Sequence, residues 1–355
     1  MVSPAAPVIR WRRGIVTAVR GSWTGSVELT VDVDGVLVPA LAHPKLVGDP
    51  VVGDVVLLNV GALELELGTG GWALVVALPE RLPPDRAGPG HLVKARYAPM
   101  QVVVQGADEQ DAPTHDLLAG DEPLPGTPVV LADLHSSLPA VLAGLPGRRV
   151  AYVMTDGGAL PLWFSRAVAG LVNVLVGTVT VGQAFGGDLE CVTLHSGLLA
   201  AVRVLGAEVV VVAQGPGNLG TGTTWGFSGV AVGEGVNAAA AVGGRPVAAL
   251  RMSLADSRPR HRGVSHHSLT ALARVALAPC DIAVPSTYAG LVEAAAFPRH
   301  RVVEVDDSGL LEALRSGPVA LSTMGRGLDD DPVAFLAAAA AGRHAASLLG
   351  GPTPS

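Results

Sequence analysis

One short segment of the chain concentrates side chains suited to anion binding and proton transfer. Residues 256–267 (DSRPRHRGVSHH) contain three arginines and three histidines, namely Arg258, Arg260, Arg262, His261, His266 and His267. Guanidinium groups bind phosphate or carboxylate bidentately, and histidines ligate metals or exchange protons near pH 7. Because only 15% of the residues are charged, this density favours a functional site over a solvated loop. The spacing H-x4-H-H matches no closed metal-site pattern, and a metal would need Asp256 or Asp188 as a further ligand, so metal binding stays open.

A glycine-rich segment supplies a second candidate for anion binding. Residues 214–224 (QGPGNLGTGTT) satisfy G-x-G-x-x-G between a predicted strand and a predicted helix. Glycines expose consecutive backbone N–H groups, which cradle an anion at a helix N-terminus. The loop is long, no acidic residue ends the next strand and no lysine follows the last glycine, which disfavours dinucleotide and P-loop sites; Arg251 at the end of that strand could at best favour a 2′-phosphate. A structural turn is the alternative. The candidate ligand-binding residues are Gly215, Gly217, Gly220, Thr221, Gly222 and Thr223.

Two carboxylates follow predicted strands and are candidate catalytic groups. Asp156 lies in TDGG after a strand that ends at Met154, and Asp188 lies in GGDLE after a strand that ends at Val181. Each is also a good helix N-cap, which is the structural alternative. With His261, His266 and His267 they complete the predicted catalytic set.

The second part of the chain alternates buried strands with helices. From Val129 onward, runs rich in Val and Ala alternate with Ala-rich or amphipathic segments. This alternation predicts an α/β fold with a doubly wound, mostly parallel sheet, in which ligands bind beyond the carboxyl ends of the strands. The predicted strands are 129–132, 150–154, 173–181, 208–213, 246–252, 281–285, 302–305 and 319–321. The predicted helices are 136–143, 160–169, 189–205, 229–242, 267–276, 288–296, 310–316 and 332–349.

The first part of the chain predicts a small all-β barrel domain. Six short strands separated by turn signals are predicted, and closure removes exposed edges. They are 14–19, 26–31, 36–41, 51–58, 63–67 and 72–77. The predicted organisation is a barrel at 1–78, a linker and acidic loop at 79–128 and the α/β domain at 129–355. A strand is also expected at 97–105.

Composition excludes several classes of protein. The chain has 355 residues, of which 49% are hydrophobic, and a formal net charge of −7, which disfavours disorder and makes nucleic acid an unlikely partner. The longest uncharged stretch, 167–187, is interrupted by polar residues and glycines, so no membrane span is expected. No signal peptide is recognisable, and a cytoplasmic protein is expected. The apolar content makes a homo-oligomer a reasonable expectation.

Several long segments together resemble an uncharacterised bacterial family, domain-of-unknown-function family 3866. They are YVMTDGGALPL, GTVTVGQAFGGDLE, AQGPGNLGTGTTWGFSG, RMSLADSRPRHRGVSHHSLT and, in the barrel, GDVVLLNVGALELELGTGG. The resemblance runs over nearly the full length. It implies a bacterial cytoplasmic protein and carries no reaction with it.

Three functions are compatible with these features. The leading hypothesis is an enzyme that binds a small anionic, phosphorylated metabolite between the glycine-rich loop (residues 214–224) and the Arg/His loop (residues 256–267). The alternatives are a non-catalytic ligand sensor or scaffold that uses the same pocket, and a nucleic-acid-associated protein that binds through its barrel, for which steeply salt-dependent binding is expected. The cofactor, the substrate and the presence of a metal are left open by the sequence.

Overall fold

The computed structural model describes residues 8–68, 70–85 and 87–349, and they form two compact units. The first unit contains the chain up to Gly88 together with Ala98–Met100. The second contains Pro89–Tyr97 and the chain from Gln101 onward. The predicted combination of an N-terminal β-barrel and an α/β fold is confirmed.

The first unit is a closed five-stranded barrel with the strand order β1-β2-β3-β5-β4. Its long first strand closes the barrel because it pairs with both β2 and β4. Gly14 in that strand is required by close packing, since a Cβ there would lie 2.5 Å from Cγ1 of Val31. The strands are β1 (Trp11–Trp23), β2 (Ser26–Val33), β3 (Val36–Ala42), β4 (Val55–Asn59) and β5 (Ala73–Ala77), and two short helices are α1 (Pro44–Val47) and α2 (Gly61–Glu64).

The prediction of six barrel strands was wrong in one element. The segment 63–67 alternates apolar and acidic residues, but it forms the end of α2 and a turn in which Glu66 has a φ of +53°. Leu63 packs against the barrel core, but Leu65 and Leu67 are 45% and 59% exposed, so the three leucines do not share one buried strand face. The preceding predicted strand begins at Val55 rather than Val51, because Asp54 caps a turn by accepting a hydrogen bond from the Val51 N–H.

The second unit is built on an eight-stranded parallel sheet with the order β11-β10-β9-β12-β8-β13-β16-β17. Its strands are β8 (Pro128–Ala132), β9 (Val150–Thr155), β10 (Leu175–Thr180), β11 (Leu189–Glu190), β12 (Val209–Gln214), β13 (Arg245–Ala249), β16 (Asp281–Pro285) and β17 (Arg301–Val305). Small two-stranded sheets are formed by β6 (Leu92–Lys94) with β7 (Val102–Val104), β14 (Met252–Ser253) with β15 (Gly263–Val264), and β18 (Ser322–Thr323) with β19 (Arg326–Gly327).

Helices cover both faces of this sheet. The α-helices are α3 (His115–Leu118), α4 (Leu138–Ala143), α5 (Arg166–Gly170), α6 (Leu194–Arg203), α7 (Ala231–Ala241), α8 (His266–Thr270), α9 (Leu310–Arg315) and α10 (Pro332–Ser347), and a π-helical turn (Ala271–Val275) follows α8. One core lies against α4, α9 and α10, and the other against α6 and α7. Alternate residues of β12 enter the two cores, which explains why the strand is apolar throughout.

The order of the strands reverses beside β8. The chain passes from β8 through α4 to β9 on one side, and later from β12 through α7 to β13 on the other, so β8 lies between β12 and β13. In sheets of this kind such a switch point leaves a crevice beyond the carboxyl ends of the strands. A ligand site is therefore expected at the ends of β8, β12 and β13.

The last helix, α10, packs closely against α4. A Cβ at Gly342 would lie 2.1 Å from the carbonyl oxygen of Val141, and one at Gly144 would lie 2.1 Å from that of Ala339. Side chains at either position would force the two backbones apart. The other buried residues of α10 are mostly alanines, together with Val333, Phe335, Leu336 and His344, and the helix also contacts β8, β13 and β16.

Buried Lys94 attaches the segment 89–97 to the edge of the sheet. Its Nζ donates hydrogen bonds to Glu190 Oε2 at 2.8 Å, to the Ala184 carbonyl at 2.8 Å and to the Thr180 carbonyl at 2.9 Å. Both charged side chains are less than 10% exposed. The segment predicted as linker and acidic loop therefore contains ordered elements, namely β6, β7 and α3, and the strand expected at 97–105 is confined to β7.

Several predicted helix and strand bounds were wrong. The helix expected from Leu189 begins at Leu194, because Leu189 and Glu190 pair with β10 and Thr193 forms the N-cap. The segment 288–296 forms two 3-10 turns instead of an α-helix. Residues 319–321 are irregular instead of a strand, and they precede the short hairpin of β18 and β19.

Candidate functional site

A buried carboxylate lies at the switch point of the sheet. Asp133 directly follows β8, and side chains from the ends of β12 and β13 hold it. Arg251 Nη1 donates to Asp133 Oδ2 at 3.0 Å, and Gln214 Nε2 donates to the Asp133 carbonyl oxygen at 3.0 Å. Asn218 Nδ2 donates to Oδ1 at 2.9 Å. Burial alone would raise the pKa of Asp133, but the hydrogen bond from His267 and the charge of Arg251 outweigh it and lower the pKa. The carboxylate is therefore ionised at neutral pH.

Asp133 fixes the orientation of His267. Nδ1 of His267 lies 3.0 Å from Asp133 Oδ2, and the ring of Phe227 stacks on the imidazole with centroids 3.7 Å apart and planes inclined by 9°. Nδ1 of His267 also lies 3.0 Å from Arg251 Nη1, so it is placed between the Asp133 carboxylate, which can only accept, and a guanidinium, which can only donate. In the tautomer in which Nδ1 donates to Asp133, the lone pair is on Nε2, which is the form needed for general base catalysis or metal ligation.

The three histidines of the Arg/His loop converge. One ring nitrogen from each of His261, His266 and His267 lies within 4.8 Å of the others. The His261 ring is held in place by a serine hydroxyl, since its Nδ1 lies 2.7 Å from Ser265 Oγ. Burial and the charge of Arg251 lower the pKa of His261 to about 3, and burial also lowers that of His266. Both rings are therefore neutral at pH 7.

Two of the three arginines hold the shape of this loop. Arg258 donates from Nε and Nη2 to the two oxygens of Asp256, both at 2.9 Å, and Arg262 Nε donates to the Asp256 carbonyl at 2.9 Å. The hydrogen bonds from Arg258, with a smaller contribution from the charge of Arg326, hold the pKa of the buried Asp256 carboxyl well below its usual range. Arg258 and Arg262 were predicted to bind a ligand; in the structure both donate hydrogen bonds to Asp256 within the loop. Asp256, which was considered as a metal ligand, accepts these hydrogen bonds.

Arg260 is the arginine that faces the glycine-rich loop. It is exposed, and its Nη2 lies 3.6 Å from where a Cβ of Gly222 would be. Its charge also acts on His266, whose pKa it helps to lower. Gly222 has a φ of +80°, so this close approach of the two loops is built on a residue that favours the left-handed region. The structure thus brings the two predicted anion-binding segments together at Arg260.

Several polar groups of the glycine-rich loop already have hydrogen-bond partners within the protein. The Thr221 N–H donates to the Gly226 carbonyl at 2.7 Å, and Thr223 Oγ1 accepts from the Gly226 N–H at 3.1 Å. The Gly215 N–H donates to the Thr155 carbonyl at 3.2 Å. Gly217 has a φ of +92°, and Gly220 forms an isolated antiparallel β-bridge with Phe227. Fewer backbone N–H groups are therefore available to bind an anion than the G-x-G-x-x-G motif predicts.

The two predicted catalytic aspartates lie away from the histidines. Asp156 Oδ2 accepts a hydrogen bond from the Gln183 N–H at 2.8 Å and holds the turn after β10. Asp188 Oδ2 accepts from both the N–H and the hydroxyl of Thr178, each at 2.8 Å. The structure brings neither to the imidazole cluster, and it places Asp133 there instead.

Sequence reasoning missed Asp133, and it did not assign Arg251 to the site. Asp133 stands alone between apolar neighbours, but it directly follows the first strand of the α/β unit. That position was the available signal, because the end of the first strand often lies at a switch point. Ser265 and Phe227, which support the imidazoles, carry no recognisable motif.

Another buried histidine, His135, lies two residues after Asp133. Its Nδ1 is 2.9 Å from the Tyr152 hydroxyl, and its Nε2 is 2.6 Å from Ser165 Oγ. Burial lowers the pKa of His135 to about 4. The ring is therefore neutral in the folded protein at pH values where it is protonated in the unfolded chain.

This arrangement predicts acid sensitivity of the fold. As pH falls from about 6.5 to about 4, the unfolded state takes up a proton that His135 does not, and about 3 kcal/mol of stability is lost. We expect His135→Gln to reduce this loss in urea unfolding curves measured across that range. The exposed His195→Gln is the control and should follow the wild type. An unchanged pH dependence in His135→Gln would contradict the prediction.

Comparison with known proteins identifies the family of the chain. The profile of a family described as "Protein of unknown function (DUF3866)" matches residues 39–342. The chain belongs to this family. Neither the curated proteins nor the solved structures give a significant match. The part of the chain that matches the DUF3866 family includes Asp133, the glycine-rich loop and the Arg/His loop, so the whole candidate site lies within the family region.

A helix that spans a membrane needs about 20 predominantly apolar residues. Among the described residues, every helix falls short of the length and apolar character that a span requires.

Proposed function

We propose that the chain is an enzyme that acts on a small anionic, phosphorylated metabolite bound at the switch point of the α/β sheet. The observation that supports it is the position of Arg260, between Gly222 of the glycine-rich loop and the imidazole cluster. A phosphate placed against this guanidinium would lie beside neutral imidazoles. Cationic and proton-transferring groups are thus combined at a ligand-binding edge of the fold.

Each residue has a distinct role in this proposal. Arg260 binds the anionic group of the substrate, and Arg251 holds Asp133 in place. His267 is the general acid or base, since the buried Asp133 orients it and stabilises its protonated form as the carboxylate of a catalytic triad does. Phe227 limits the rotation of the imidazole by stacking on it.

Removal of Arg260 is expected to weaken anion binding. Chelator-treated protein is titrated with inorganic phosphate and with pyrophosphate by calorimetry. A charge-assisted hydrogen bond contributes about 1.5–3 kcal/mol, so Arg260→Ala should bind about 10–100-fold more weakly. Arg315→Ala, which removes an exposed arginine on α9, is the matched control and should bind within about twofold of the wild type. The proposed site would be contradicted if neither phosphate nor pyrophosphate binds, or if Arg260→Ala and Arg315→Ala bind the anion equally well.

Turnover distinguishes an enzyme from a sensor. The protein is incubated with panels of sugar phosphates and nucleoside phosphates, and products are detected by mass spectrometry. For a substrate that reacts, His267→Gln should lower kcat by about 10²–10⁴-fold, the usual contribution of general acid–base catalysis. Anion binding without turnover of any member would favour the non-catalytic sensor.

A further inference from the structure

We infer that His261, His266 and His267 form a binding site for one divalent transition-metal ion of the zinc type. The inference deepens the proposed function by naming a cofactor for the same site, but it stands on the imidazole geometry and can be tested without a substrate. Three imidazoles with an open fourth position are a known catalytic zinc ligand set.

The distances permit metal binding with small movements. Zinc–nitrogen bonds of about 2.0–2.1 Å place the ligand atoms of a tetrahedral site about 3.3 Å apart. The ring nitrogens lie within 4.8 Å of one another, and the ring centroids of adjacent pairs are separated by 4.5–5.1 Å. Rotations of the rings that move each nitrogen by about 1 Å would complete the site.

Two of the imidazoles are supported as metal ligands are. Histidine ligands usually donate their second N–H to a carboxylate, a carbonyl or a water, which fixes the ring and raises its basicity. Asp133 occupies this position behind Nδ1 of His267, at 3.0 Å, and Ser265 Oγ occupies it behind Nδ1 of His261, at 2.7 Å. When both Nδ1 atoms donate, both Nε2 atoms carry lone pairs.

The third imidazole has a buried nitrogen that the described residues do not satisfy. Nε2 of His266 is shielded from solvent and has no hydrogen-bond partner within 8–68, 70–85 and 87–349. A buried polar atom of this kind is costly unless a partner occupies the site. A metal ion bound to all three rings would provide that partner.

The surrounding charges fit a metal that binds an anionic ligand. The negative charge of Asp133 offsets the positive charge of Arg251 beside it. A divalent ion would therefore give the pocket a net positive charge, to which Arg260 adds from the solvent side. The open fourth position could hold water or an oxygen of the anionic substrate.

Metal titration tests the inference directly. The full chain is treated with a chelator, dialysed and titrated with Co²⁺, followed by visible absorption, and with Zn²⁺, in competition with a chromophoric chelator. We expect one ion per chain with a tetrahedral cobalt spectrum. His266→Ala and His266→Gln should each lower the affinity by at least about 100-fold, and Asp133→Asn by about 10–100-fold because it acts through His267.

The exposed His195→Ala is the matched control and should bind metal as the wild type does. No binding by the wild type, or equal affinity in the His266 variants, overturns the metal site. Retained phosphate binding in the same chelator-treated protein would then show that the anion site survives. Metal binding with no affinity for phosphate or pyrophosphate would instead contradict the proposed function and leave the metal site standing.

Discussion

Replacing Lys94 by methionine is expected to lower the free energy of unfolding of the α/β unit by about 3–5 kcal/mol. The substitution leaves the Glu190 carboxylate buried without its cation, which is the costly way to break a buried ion pair. It also removes the donor to the Thr180 and Ala184 carbonyls. The measurement is the midpoint of urea unfolding at constant slope.

A control variant separates the loss of the buried ion pair from the loss of a lysine in general. Lys45 is the other lysine of the chain and is exposed, so Lys45→Met should change stability by no more than about 0.5 kcal/mol. The double variant Lys94→Met/Glu190→Gln should be more stable than Lys94→Met alone, because it leaves no unpaired charge. The glutamine Oε1 can still accept from the Gly186 N–H, and its amide NH2 can donate to the Thr180 hydroxyl. A cost below about 1 kcal/mol for Lys94→Met would be incompatible with this ion pair as described.

Truncation of Asp133 to alanine is expected to cost a similar 3–5 kcal/mol. The change leaves Arg251, whose side chain is 10% exposed, without its carboxylate. It also removes the acceptor that orients His267 and the partner of the Asn218 amide. Urea unfolding of the metal-free protein measures this cost without a contribution from ligand binding.

Two comparisons isolate the role of the buried charge. Asp188→Ala removes an exposed carboxylate that accepts two hydrogen bonds from Thr178, and we expect it to cost about 1 kcal/mol. The double variant Asp133→Ala/Arg251→Met should be destabilised by less than the sum of its two single variants, because each single change strands the other charge. Equal losses for Asp133→Ala and Asp188→Ala would argue against a desolvated ion pair at the switch point.

The local patterns of apolar residues predicted the fold well, because the buried face of a strand or helix must be apolar. The strand at 281–285 has the predicted bounds, since a fully buried parallel strand is apolar on both faces. The pattern failed where local and tertiary preferences disagree. The sequence predicts that Leu189 and Glu190 begin a helix. They form a strand because they pair with β10 and because Glu190 is buried against Lys94.

The candidate site could be predicted only in part, for a topological reason. Clusters of like residues, such as His261, His266 and His267, are visible in composition. Which separate segments meet depends on the strand order, and the periodicity of the sequence does not encode that order. Asp156 was expected at the site because it follows β9, but the sheet places β8 beside both β12 and β13. Asp133 therefore occupies the position that Asp156 was expected to fill.

The packing of α10 has a consequence for the growing polypeptide. This helix covers β8 and α4, which leave the ribosome long before it does. At roughly 5–20 residues per second, the interval is on the order of 10 s or more. During that interval an apolar face of the nascent sheet lacks its cover, so folding of the unit can finish only after α10 has emerged.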